Sequence, residues 1–200
     1  MPYTISFTIV LIAIILLSFS VHELSHAWMA NRLGDPTARL EGRISLNPLA
    51  HWDPIGTTML VILILLKLPA FGWGKPVPIN DRNFRNPNRD LLLSSLSGPI
   101  SNILLAIFFG IIVRIFIPET NIFYQILILA ITINIYLAIF NLIPLPPLDG
   151  SQILRAVAPP RTYEIIEANS MFFLIGLIIL VSFAPGVIFS IVTTIVQLIV

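Results

Sequence analysis

ISFTIVLIAIILLSFSVHELSH, residues 5–26, is an apolar run that ends in two histidines flanking an acid. Residues 5–21 are long enough to lie mostly inside a bilayer. On a helix, side chains four apart project from nearly one face, so His22 and His26 can each offer a nitrogen to one zinc ion at about 2.0–2.1 Å. Glu23, one residue on, projects to the side. That offset suits a carboxylate that takes a proton from the metal's water without occupying a coordination position. The competing reading, a polar helix end solvated near headgroups, is the weaker one, because ionisable groups at membrane depth are costly and usually functional.

Working outward, the chain is 56% hydrophobic and 10% charged, which excludes a soluble globular domain and predicts an all-α polytopic membrane protein. Its 200 residues have room for about four to six membrane segments and no soluble domain, so residues 1–200 are expected to form one membrane-embedded domain. A net charge of +1, with no basic run, gives no reason to expect a nucleic-acid partner. With no cysteine, any metal must be held by His, Asp or Glu. Nothing basic precedes the first apolar run and cleavage would orphan the two histidines, so it reads as a retained helix.

The first helix is expected from about Thr4 to Leu33, stopping at Gly34-Asp35-Pro36. Residues 37–53 read as a polar loop that alternates roughly as a short β-hairpin would, from Ala38 to Leu46, before Asn47-Pro48 breaks the pattern. Residues 55–66 are apolar but short for a crossing, with Pro54 before them and Lys67, Pro69 and Gly72 after. Residues 73–90, rich in Pro, Asn and Arg, read as a surface loop. Apolar stretches at 91–117 and 122–143, joined by Pro118-Glu119-Thr120-Asn121, predict an antiparallel helical hairpin. The expected core, about residues 4–150, is thus three transmembrane helices with a re-entrant, hairpin-like segment. Residues 151–200 add one or two C-terminal helices, split at Pro185-Gly186.

Two further elements carry chemistry. In Asn141-Leu-Ile-Pro144-Leu-Pro146-Pro147-Leu-Asp149-Gly150 the prolines end a helix and deliver one carboxylate. A catalytic zinc takes three protein ligands and keeps a position open, and Asp149 is the candidate third ligand; alone, it could equally cap the next helix. In Ser97-Gly98-Pro99-Ile100-Ser101-Asn102, Gly98 permits close helix approach. Asn102 could donate a hydrogen bond to the oxyanion formed when water adds to a peptide carbonyl, or simply bridge two helices. His51, beside Trp52 and Asp53, reads as an interfacial anchor more readily than as a ligand.

The H-E-x-x-H at 22–26, Gly98-Pro99-x-x-Asn102 and Asn141…Pro144…Leu148-Asp149-Gly150, in this order and each in or beside an apolar segment, resemble the site-2 protease family of intramembrane zinc metalloproteases over about residues 18–152. The resemblance implies one zinc ion per chain held by His22, His26 and Asp149, Glu23 as the catalytic carboxylate and Asn102 near the reacting carbonyl. It implies cleavage in or near the transmembrane helix of another membrane protein, such as a tethered regulator or a signal-peptide remnant. The length leaves no room for the PDZ module, extra leading helix or nucleotide-sensing domain of some members.

Topology gives a separate expectation. The three site elements can meet only if the chain leaves and regains the same side between Arg32 and Asp90, so residues 55–66 should be re-entrant or interfacial rather than a full crossing. Arg32, Arg39, Arg43, Lys67, Lys75, Arg82, Arg85, Arg89, Arg155 and Arg161 then face one compartment and only Arg114 lies near the other, which places the site on the cytoplasmic side of the cell membrane. Residues 38–46 or 74–78 could hold an extended substrate by strand addition. A metal-ion transporter and an inactive membrane scaffold are the alternatives, although the ionisable candidates cluster on one side of the midplane and transport gives Glu23 no task. Nothing in the sequence sets the oligomeric state.

Overall fold

The computed structural model describes residues 5–66, 68, 72–183 and 185–200. In chain order its helices are α1 (Ile5–Leu33), α2 (Thr37–Leu40), α3 (Gly56–Leu65), α4 (Pro87–Phe116), α5 (Ile122–Asn141), α6 (Asp149–Val157), α7 (Pro160–Ala168), α8 (Ser170–Phe183) and α9 (Pro185–Ile199), with 3₁₀ turns at Pro48–His51 and Asp81–Asn83. No strand occurs among the described residues. Thr4, Lys67 and Pro69, named above, lie outside them.

Three helices, α1, α4 and α5, are long and apolar enough to cross a membrane. The protein is therefore an all-α membrane protein built on a three-helix core. Helices α4 and α5 form the expected antiparallel hairpin, turned by Asn121, whose side chain accepts from the Phe123 N–H at 2.9 Å. Ala106 and Val113 of α4, Ile131 and Ile135 of α5 and Val192 of α9 make one buried cluster. Helix α1 meets its neighbours through small buried residues, Ser18, Ser20, Ala27 and Ala30, which lets helix backbones approach closely where lipid offers no hydrophobic drive. Leu104, Phe108 and Phe116 of α4 point outward, as lipid-facing positions do.

The hairpin-like reading of residues 37–46 gives way to a helical turn, and cap chemistry explains why. At the start, the Asp35 carboxylate accepts from the Thr37 N–H. At the end, Gly42 takes φ +67° while its N–H bonds the Arg39 carbonyl and the Arg43 N–H bonds that of Ala38, a Schellman closure. Those capping bonds outweigh an alternation that has no partner strand.

Helix α3 has 10 residues and is about 15 Å long, half the hydrocarbon thickness, so it does not cross by itself. Its two flanks lie together. Thr57 Oγ1 donates to the Trp73 carbonyl at 3.2 Å and the Lys75 N–H to that of His51 at 2.9 Å. Gly56 makes this possible, since a Cβ there would sit 2.4 Å from the Trp73 oxygen. The two ends of the segment are thus hydrogen-bonded to each other. Past Pro185 the C-terminal run forms a separate helix, α9, packed on α4 and α5.

Candidate metal centre

His22, Glu23 and His26 lie in the C-terminal half of α1, on its buried face. The α5 helix ends at Asn141, and a tight turn through residues 142–148 sets Asp149 as the first residue of α6. Gly150 fits α6 against that turn: a Cβ there would lie 2.3 Å from the Ile143 carbonyl oxygen and 2.5 Å from that of Leu142. Gly98 does the same for α4, where a Cβ would stand 2.3 Å from His26 Nε2 and 2.7 Å from His22 Cε1. Gly98 thus brings the α4 main chain against the histidine rings, and Gly150 brings the start of α6 against the turn that precedes it.

The result is a compact donor set. His22 Nε2 lies 3.0 Å from Asp149 Oδ2, His26 Nε2 3.2 Å from the same oxygen, and the two Nε2 atoms are 3.0 Å apart. Ligands about 2.0–2.1 Å from a tetrahedral zinc would be about 3.3 Å apart, so this triangle needs only a slight expansion to become one face of such a site. Chemistry agrees with geometry. His22 Nδ1 is 2.6 Å from Asn102 Oδ1, and His26 Nδ1 is 2.7 Å from the Ser94 carbonyl. Both partners are acceptors, so each ring carries its proton on Nδ1 and turns an Nε2 lone pair inward. Two lone pairs and a carboxylate oxygen facing one another repel unless a cation lies among them. The residues therefore fit a divalent metal, and among the described residues they are the one His/Asp/Glu group with metal-holding geometry.

Glu23 is buried beside this group but outside the triangle. Its Oε2 accepts from the Val77 N–H at 3.0 Å. Residues 72–80, which have no regular secondary structure, pass beside the site, held by Lys75, whose carbonyl accepts from Arg43 Nη2 and whose N–H donates to the His51 carbonyl. His51 lies outside the metal group, is itself buried, and donates from Nε2 to the Ser45 carbonyl at 2.9 Å. Through its main-chain carbonyl it anchors the 72–80 segment. A cavity of about 460 Å³ opens onto the group, lined among others by Glu23, His26, Val77, Pro147, Asp149 and Arg155. At its rim Arg155 pairs with Asp81 at 2.7 Å.

Asn102 is fully buried, with its oxygen on His22 and its amide nitrogen 2.8 Å from Asn134 Oδ1 and 3.4 Å from the Ser18 carbonyl. The sequence reading missed Asn134, the Ser94 carbonyl and the Val77 N–H. Only Asn134 left a trace, a carboxamide in the middle of an apolar helix.

A three-helix membrane core carrying a His-His-Asp donor set defines a class, the membrane metalloproteins with a buried, water-accessible centre. The chain belongs to the site-2 protease family, peptidase family M50: that family's profile matches residues 117–183, and YwhC of Bacillus subtilis, which carries the name putative zinc metalloprotease, is 36% identical over 190 residues, covering 90% of this chain and 84% of its own length. Rip2 of Mycolicibacterium smegmatis, also named as a zinc metalloprotease, is 28% identical over 176 residues, 87% of this chain and 67% of its own. MJ0611 of Methanocaldococcus jannaschii, named likewise, is 43% identical over 61 residues, 30% of this chain and 31% of its own. No solved structure matches the chain.

Proposed function

We propose that the chain is an intramembrane zinc endopeptidase that hydrolyses a peptide bond in or near the transmembrane segment of membrane-protein substrates. The observation that carries this reading is the triangle of His22, His26 and Asp149 donor atoms with the Glu23 carboxylate beside it. His22, His26 and Asp149 would hold one zinc ion per chain, which when bound supplies Lewis acidity to water and to the scissile carbonyl. Glu23 takes the proton of the attacking water and returns it to the leaving amine. The Val77 N–H holds the Glu23 carboxylate in place while leaving its other oxygen free. Asn102 supports His22; an oxyanion role for it would require its amide to leave Asn134.

A substrate helix has its carbonyls locked in internal hydrogen bonds, so it must unwind locally, and the extended 74–78 segment is the candidate template for holding it. Residues 1–200 act in this reading as one domain in the cell membrane, with Arg89 and Arg114 at opposite ends of α4 and the site at the Arg89 end, the cytoplasmic side. Zinc analysis together with a cleavage assay on a model transmembrane peptide tests the proposal. Glu23→Gln should keep the metal and lose at least about 10²-fold in rate. Cleavage that survives Glu23→Gln, or metal bound equally well after His22→Ala, overturns the assignment.

A further inference from the structure

Asn134 is fully buried in the middle of α5 and touches none of the three candidate ligands. Its amide nitrogen donates to the Ala130 carbonyl at 2.8 Å and to Ser18 Oγ at 2.9 Å, and its Oδ1 accepts from Asn102 Nδ2 at 2.8 Å. These contacts form a chain with a direction. A main-chain carbonyl can only accept, so the Asn134 edge facing Ala130 must be its NH₂, and Oδ1 must face Asn102. Asn102 must then offer its own NH₂ to Asn134 at 2.8 Å and, at the longer distance of 3.4 Å, to the Ser18 carbonyl, which turns its Oδ1 toward His22 Nδ1, 2.6 Å away. His22 is obliged to donate from Nδ1. Its Nε2 is left as a lone pair aimed at His26 and Asp149.

We infer that Asn134 is a positioning residue that acts through Asn102 to hold His22 in the tautomer whose Nε2 is free to bind a metal. The Ala130 carbonyl sets the polarity and Asn134 transmits it across two helix interfaces. A residue serving only to fill space in an apolar helix would gain nothing from a carboxamide, which is costly to bury unless all its bonds are made. The inference rests on the reading of His22 as a zinc ligand, and the test separates the two.

The whole chain, with ¹⁵N-labelled histidine, is examined by NMR without metal and then titrated with zinc against a competing chelator. In the wild type, His22 should show a protonated Nδ1 and a bare Nε2; the reverse tautomer overturns the inference without any variant. Asn134→Thr and Asn134→Val have nearly the same shape, but only the threonine hydroxyl can donate to the Ala130 carbonyl while accepting from Asn102. Asn134→Val should give mixed His22 tautomers and zinc binding weaker by about 10–100-fold, while Asn134→Thr stays within about threefold of wild type. Equal losses in both variants, or none in Asn134→Val, would mean that the residue supplies only volume. In the Asn102→Leu background, Asn134→Val should cost nothing further; an additive loss refutes transmission through Asn102. A wild type with the expected tautomer that binds no zinc defeats the zinc reading and leaves the relay standing.

Discussion

Gly98→Ala adds one methyl group at the point where α4 meets the histidine rings. The new Cβ would lie 2.3 Å from His26 Nε2 and 2.7 Å from Cε1 of both rings. Ordinary carbon contacts begin near 3.5 Å, so the rings or the helix must yield by about 1 Å, several times the ±0.2 Å tolerance of a zinc–ligand bond. Overpacking of this kind costs about 1–3 kcal/mol, and since about 1.4 kcal/mol is tenfold in a binding constant, zinc affinity should fall roughly 5- to 150-fold. Helix propensity works the other way, because alanine is about 1 kcal/mol better than glycine inside a helix. Metal-free stability should therefore change little while zinc binding suffers. Competition against a chromophoric chelator measures the affinity, with Gly176→Ala, which would meet nothing within 4 Å, as the control. A folded Gly98→Ala protein that binds zinc as tightly as wild type would show that the rings do not bind metal where they stand.

Removing the carboxylate tests the third corner: Asp149→Ala should reduce bound zinc to a small fraction of the wild-type content while leaving helix content unchanged by circular dichroism. Asp35 ties the end of α1 to the returning chain, accepting from Thr37, from the Asn80 N–H at 2.7 Å and from Asn83 Nδ2 at 2.8 Å, so Asp35→Ala should lower stability by about 2–3 kcal/mol in a denaturant titration. Burial alone would raise the Asp35 carboxyl, but the bonds from Thr37, Asn83 and Asn80 outweigh it and hold the group below the ordinary carboxylate value. Its contribution should be complete above about pH 4 and fade as pH falls through the lower folded value, an acid limb that thermal melts should lack in Asp35→Ala. Cysteines placed at Ser45 and Asn83, on either side of the α3 excursion, should react with an impermeant thiol reagent from the same face of the membrane; labelling from opposite faces refutes the re-entrant path.

What the sequence made legible is what one helix or one motif fixes by itself. His22 and His26 are four residues apart on α1, and no tertiary fact is needed to put them on one face. Asp149 was reachable because the prolines before it rule out a continuing helix and leave a carboxylate at its end. The turn at residues 37–46 misled because alternation and a Schellman closure compete over the same few residues, and Gly42 decides between them. The Val77 N–H on Glu23 and the Ser94 carbonyl on His26 are main-chain groups, the same in every residue type, so no sequence pattern marks them. Asn102 was noticed by its neighbours Gly98 and Pro99, but the partners that fix which end of its amide faces His22, Asn134 and the Ser18 carbonyl, lie on other helices.

The cavity beside Glu23 has a consequence for supply. At about 30 Å³ per molecule, 460 Å³ has room for on the order of ten waters beside Glu23 and the candidate metal group. A hydrolase furnished in this way carries its own reservoir of co-reactant. Its turnover would then be governed by how often a guest helix exposes a bare amide, and helix-loosening residues in the guest should matter more than the wetness of the surrounding bilayer.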